Sequence, residues 1–121
     1  MKPVIVELCI IENPYFGDEL GVFTFSFQWD FPFLPRIGEN ISPWVWMKHL
    51  DLSKVEKLLT DKGKQNYKSF MQYSKKCGFK DWLYDAACET DYVSSITYVE
   101  FQESDISVRI CLCDNPSSHS S

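Results

Sequence analysis

Cys111 and Cys113 stand two apart near the C-terminal end, in a run whose alternation puts both thiols on one strand face with Arg109. Two thiolates begin a zinc site, but a closed site takes four ligands. No Cys-x-x-Cys occurs, and the two histidines, His49 and His119, fall in a helix-like region and a polar terminal stretch. The spacing therefore predicts no metal, no other cofactor and free, inert thiols buried under the helices. Nucleophilic catalysis needs a Cys or Ser, a His base and an orienting carboxylate. Cys77 with His49 is the available pair. Cys77 directly precedes Gly78, at an expected helix C-terminus, where the dipole disfavours a thiolate. The carboxylate pairs Asp85 with Glu89 and Glu100 with Glu103 have no accompanying motif, and the five glycines form no phosphate loop. These residues argue against an enzyme, and no catalytic residue is assigned.

Two binding groups remain. In "FPFLPRIGENI", residues 31–41, Arg36 and Glu39 flank a tight turn at Gly38 and are a candidate functional pair. With Trp44 and Trp46 they mark a possible ligand site between helices and strands. The second group is basic. Residues 48–80 hold nine lysines and three acidic groups, a balance of +6, while the remainder carries -11. Lys62, Lys64 and Lys68 interleave with Tyr67 and Phe70, and Lys75 and Lys76 follow with Tyr73. The net charge of -5 argues against nucleic acid, whose affinity rests on a positive field. A protein partner with an acidic surface fits the lysines better.

The elements that must position these groups read as α+β. "PVIVELCIIE" is apolar on both parities, as a central strand covered on both sides would be. In "VFTFSFQW", Phe23, Phe25, Phe27 and Trp29 face a core, to be shared with Ile106, Val108, Ile110 and Leu112. These two strands are expected to pair antiparallel. The prolines at 32 and 35 keep the next stretch extended, and Glu39-Asn40-Ile41 is expected to begin a short strand. "WVW" at 44–46 suits either a helix after Ser42-Pro43 or a short strand. Ser53 to Glu56 has capping-box spacing, with Gly63 as terminator. Two amphipathic stripes follow: Tyr67, Phe70, Met71 and Cys77, ending at Gly78; then Phe79, Trp82, Leu83, Ala86 and Ala87. Residues 91–101 and 106–114 form a terminal hairpin.

Pro35 to Glu39, Ile41 and the hairpin pattern Val93 to Ile110 together resemble small uncharacterised bacterial proteins with a "PRIGE" motif and an SH3-like β-barrel. The resemblance covers about a third of the chain, and helices interrupt it. It implies an SH3-like closure of the core and transfers no function.

Together these features predict one domain over residues 1–114, with 115–121 as a flexible tail. Its antiparallel β-core has four to six strands, with about three helices inserted over 43–90. No apolar run reaches the roughly 20 residues of a membrane span, and no secretory signal is evident, so the expected location is the cytoplasm. The expected function is a non-catalytic protein-interaction module, with a toxin-neutralising immunity protein as one concrete form. The alternative is a small ligand-binding protein or enzyme with a site near Arg36, Trp44 and Trp46.

Overall fold

Two runs in the chain are apolar enough for the middle of a sheet, and both lie there. The computed structural model describes residues 4–74, 77–101 and 105–115, with the backbone alone at 99–101 and 105–106. β1 spans Val4–Ile11, β2 Val22–Gln28, β3 Tyr92–Phe101 and β4 Asp105–Cys113. They form one sheet in the order β2-β1-β4-β3. Each outer strand makes an antiparallel hairpin with an inner one, and the inner strands β1 and β4 run parallel. The expected all-antiparallel core is thus corrected to a mixed sheet. The crossover from β2 to β3 returns the chain to the end where β2 began. β3 therefore runs parallel to β2, and β4 parallel to β1. The described strands do not close into a barrel: β2 and β3 are both edges.

Four helices occupy the crossover: α1 Trp44–Met47, α2 Leu52–Glu56, α3 Asp61–Tyr73 and α4 Phe79–Ala87, the last followed by a 3-10 turn at Cys88–Thr90. The core lies between them and one sheet face. Val6, Leu8, Ile10, Phe23, Phe27, Val108, Ile110 and Leu112 meet Trp46, Val55, Trp82, Leu83, Ala86 and Ala87 there. Phe25 and Trp29 are half-buried against this cluster. The side chain of Ile106 lies outside the described residues. The second face of β1 is not covered as expected: Ile5, Glu7, Cys9 and Ile11 are only half-buried. Its apolar residues reflect a central position in the sheet, not a second packed layer.

Several local readings change for physical reasons. Asp51, not Ser53, caps α2, accepting the Ser53 N–H at 3.1 Å. Gly63 lies in the first turn of α3, after the N-cap Thr60, and does not terminate a helix. A Cβ there would lie 2.0 Å from the Tyr15 carbonyl oxygen, so the residue permits helix and turn to touch. α3 ends at Tyr73, and Gly78 starts α4, donating its N–H to Asp81 Oδ2 at 3.1 Å. Asn13 is buried and joins the layers: its Nδ2 donates to the Ala86 carbonyl and the Thr90 hydroxyl, and its Oδ1 accepts from the Tyr15 N–H.

Candidate functional site

In an antiparallel pair, alternate residues exchange backbone hydrogen bonds with the neighbour and the others point away. Outside the two ends of the β1–β2 register, Trp29 N–H donates to the Val4 carbonyl and Glu12 N–H to the Gly21 carbonyl, at 2.9 and 2.7 Å. That phase makes Phe23, Phe25 and Phe27 bond to β1. The N–H and C=O groups of Val22, Thr24, Ser26 and Gln28 then point to the outer edge. Val22 is satisfied locally, since its N–H reaches Asp18 Oδ1 and its carbonyl accepts from Asp18 N–H. The outward backbone groups of Thr24 and Ser26 make no such bond among the described residues.

A groove of about 480 Å³ runs along this edge. One wall is Val22 to Ser26. The other is His49, Leu50, Asp51, Lys54 and Leu58, from the end of α1 through α2. Backbone bonds fix that far wall to the turn after β1. Gly17 N–H donates to the Leu58 carbonyl and Thr60 N–H to the Tyr15 carbonyl, both at 2.9 Å. At the opposite end His49 stacks on Phe27 with ring centroids 4.9 Å apart, and its Nε2 lies 3.0 Å from Asp30. Hydrogen bonds from the Ser53 hydroxyl and N–H hold Asp51 below the usual carboxylate range.

A second concavity of about 220 Å³ lies under the 31–41 loop, lined by Trp29, Phe31, Phe33, Leu34, Ile41 and Val45, with Glu39 and Asn40 as polar groups. Trp29 Nε1 donates to the Phe33 carbonyl at 2.9 Å and closes the loop on itself. Phe33 is nevertheless 77% exposed.

The residues singled out from sequence do not converge. Glu39 lines the second cleft, but its carboxylate accepts the backbone N–H of Arg36; the exposed Arg36 is not part of that lining. Trp46 is 1% exposed and packs on Phe25 in the core. Trp44 stacks on Tyr84 with centroids 4.9 Å apart, and Lys80 lies over its ring. Lys62, Lys64 and Lys68 are exposed on α3, with Lys62 over the Tyr15 ring. Lys75, Lys76 and His119 lie outside the described residues. The structure pairs His49 with Asp30 and Phe27, and no contact joins it to Cys77 among the described residues. Burial pushes the Cys88 thiol up, with Asp91 and Asp85 adding to the effect. Among the described residues no three His, Cys, Asp or Glu side chains are grouped to hold a metal ion, and no helix is long and apolar enough to cross a membrane.

The groove was missed in the sequence because its backbone donors and acceptors belong to every residue type. The available signal was the even-numbered series Thr24, Ser26 and Gln28, which marks an outer face but says nothing about which strand is an edge. Compared with known proteins, the chain matches no family model, no curated protein and no solved structure.

Proposed function

We propose that this chain is a non-catalytic protein-interaction module that takes an extended segment of a partner protein as an added strand beside β2. The observation that carries the reading is the outward N–H and C=O pairs of Thr24 and Ser26, facing a groove with a second wall. Residues two apart on a strand are about 6.8 Å apart. A peptide backbone in β conformation offers donors and acceptors at that repeat, and strand addition uses it. The floor is apolar through Phe23, Phe25, Leu50 and Leu58, so alternate residues of the partner segment are apolar. The intervening residues continue the polar face of Thr24 and Ser26. The groove falls within the 300–1,000 Å³ range of well-formed sites, and the cleft under the 31–41 loop lies below it.

The lysines of α3 give this module a basic surface that steers a partner with an acidic one. An immunity-type role in the cytoplasm is one form of the proposal, offered on class analogy alone. The likeness of Pro35–Glu39 to small bacterial proteins belongs to the proposal in the same way and adds no function. A small-ligand reading rests on one observation, the aromatic lining of Trp29, Phe31 and Phe33. Chemical-shift changes confined to Trp29, Phe33 and Ile41 on addition of an aromatic fragment library would favour it.

The main reading is tested by selecting peptides with alternating apolar residues from a displayed library. Bound peptide is expected to shift amide signals of Thr24 and Ser26 and side-chain signals of Leu50 and Leu58. Ser26→Pro removes one outward donor at an edge position, where proline is tolerated. It should abolish binding and leave the circular dichroism spectrum unchanged. Shifts elsewhere, or binding that survives Ser26→Pro, would overturn the proposal.

A further inference from the structure

The open face of the sheet carries three of the five cysteines, so Cys111 and Cys113 are not buried under the helices as expected: the helices cover the Val108, Ile110 and Leu112 face of β4. Cys9 on β1 and Cys111 on β4 are direct partners in the parallel register, and Cys113 lies two residues further along β4. All three are free and half-buried. Around them the face is mixed: Thr24 is the β2 partner of Cys9, Ser95 the β3 partner of Cys111, Arg109 bonds Glu7 at 2.7 Å on one adjacent rung, and Ile11 pairs with Val22 on the other.

Adjacent strands lie about 4.8 Å apart, which puts paired Cα atoms inside the 4.4–6.8 Å range of a disulfide. Cys113 is displaced by a further ~6.6 Å along its strand, beyond the ~7 Å limit from Cys9 once the lateral spacing is added. The Cys9 and Cys111 side chains leave the same face of the sheet on the same rung. Burial raises the Cys9 thiol, a hydrogen bond with Thr24 opposes this, and the neighbouring Cys111 adds to the rise.

We propose that Cys9 and Cys111 form a reversible dithiol site that closes to an intramolecular disulfide with a small-molecule disulfide such as oxidised glutathione. Either thiol of the pair can attack first, and Cys111 is taken as the attacker. Its thiolate displaces one glutathione thiolate and forms a mixed disulfide on Cys111. Cys9 then loses its proton to solvent, attacks the Cys111 sulfur and expels the second glutathione thiolate. Two protein thiols are oxidised, one glutathione disulfide is reduced to two thiols, and no other reactant is needed. The new bond ties the first strand to the last, across the seam where the two hairpins meet. A cross-link that encloses nearly the whole chain restricts the unfolded ensemble strongly.

The test incubates the full chain with oxidised glutathione, then uses intact mass, thiol titration and peptide mapping. Expected are the loss of two hydrogens, a fall from five titratable thiols to three, one linked peptide pair containing Cys9 and Cys111, and a monomer. Tm should rise by roughly 10 °C and fall back with dithiothreitol. Cys113→Ser should leave the mass loss, the linked pair and the Tm shift unchanged, with titratable thiols falling from four to two. Cys9→Ser should stop at a stable glutathione adduct on Cys111. A wild-type bond to Cys113, Cys77 or Cys88, only intermolecular dimers, or adducts that never resolve would each overturn the proposal. Mapping the wild-type protein decides the matter even where a serine variant folds poorly.

Discussion

The two edges of the sheet are finished in different ways. At the start of β3 the 31–41 loop supplies a partner. Gly38 N–H donates to the Val93 carbonyl, Val93 N–H to the Glu39 carbonyl and Ile41 N–H to the Asp91 carbonyl, at 2.8–2.9 Å. At β2 the corresponding groups of Thr24 and Ser26 meet a groove instead. Bare strand edges are pairing templates that proteins normally blunt. Here the 31–41 loop covers one edge at its start, Asp91 to Val93, while the other edge is bare but walled. One edge is thus covered at its start, and the other is the edge proposed to receive a partner strand.

The largest expected effect breaks the β2 edge at its anchor. Phe23 is buried and meets Phe16 edge-on with ring centroids 5.6 Å apart. Phe23→Ala should cost about 3–5 kcal/mol, read by urea denaturation. A loss under 1 kcal/mol would mean that β2 is not part of the core. Gly63→Ala comes next. Its Cβ would strike the Tyr15 carbonyl, in the turn that also ties down Leu58 and so the far wall of the groove. About 1–3 kcal/mol should be lost, with faster amide exchange at Gly17 and Thr60. Unchanged exchange there would detach the wall from this turn.

The covered edge is probed by Gly38→Ala. Gly38 has φ +95°, and an added Cβ meets nothing nearer than the Tyr92 hydroxyl at 3.8 Å. The cost is therefore backbone strain, about 1–2 kcal/mol. It should appear as faster exchange at Val93 and Ile41, with peptide binding at β2 untouched. The smallest effect sharpens the groove wall. Asp51→Ala removes the cap of α2, and its penalty should depend on pH. The folded-state carboxyl sits below its unfolded value. The stabilisation is therefore present above about pH 4 and is lost as pH falls through the folded value. Melting curves of wild type and variant should converge once the pH lies well below the folded value. A difference that persists there would assign the cap to something other than the ionised carboxylate.

Much of the architecture was legible from periodicity. The alternation of residues 22–29 set the inner face of β2, with Phe23 and Phe27 buried. The stripe Trp82, Leu83, Ala86 and Ala87 marked α4 correctly, because spacing of three and four has one helical solution. The candidate site was much less legible. Trp44 and Trp46 looked like a shared binding feature, yet two positions apart on a helix they face different ways: one packs in the core and the other stacks outside on Tyr84. Arg36 and Glu39 looked like a functional pair, and the structure uses the Glu39 carboxylate to hold a backbone N–H. Gly63 and Gly78 looked like helix stops because glycine suits both a C-terminal turn and a close approach, and sequence carries no signal to tell the two apart.

The sequence by itself determined which residues alternate, which stripes are apolar, where β2 and α4 lie, and the opposition of a basic segment to an acidic remainder. Those are local properties, fixed by side-chain chemistry within a few residues. The tertiary structure decided that β1 and β4 run parallel, that β2 is an edge, that Cys9 faces Cys111, and that Gly63 touches Tyr15. Each of these joins positions far apart in the chain. They depend on how the two hairpins bury their common apolar face against the helices, which no local pattern encodes.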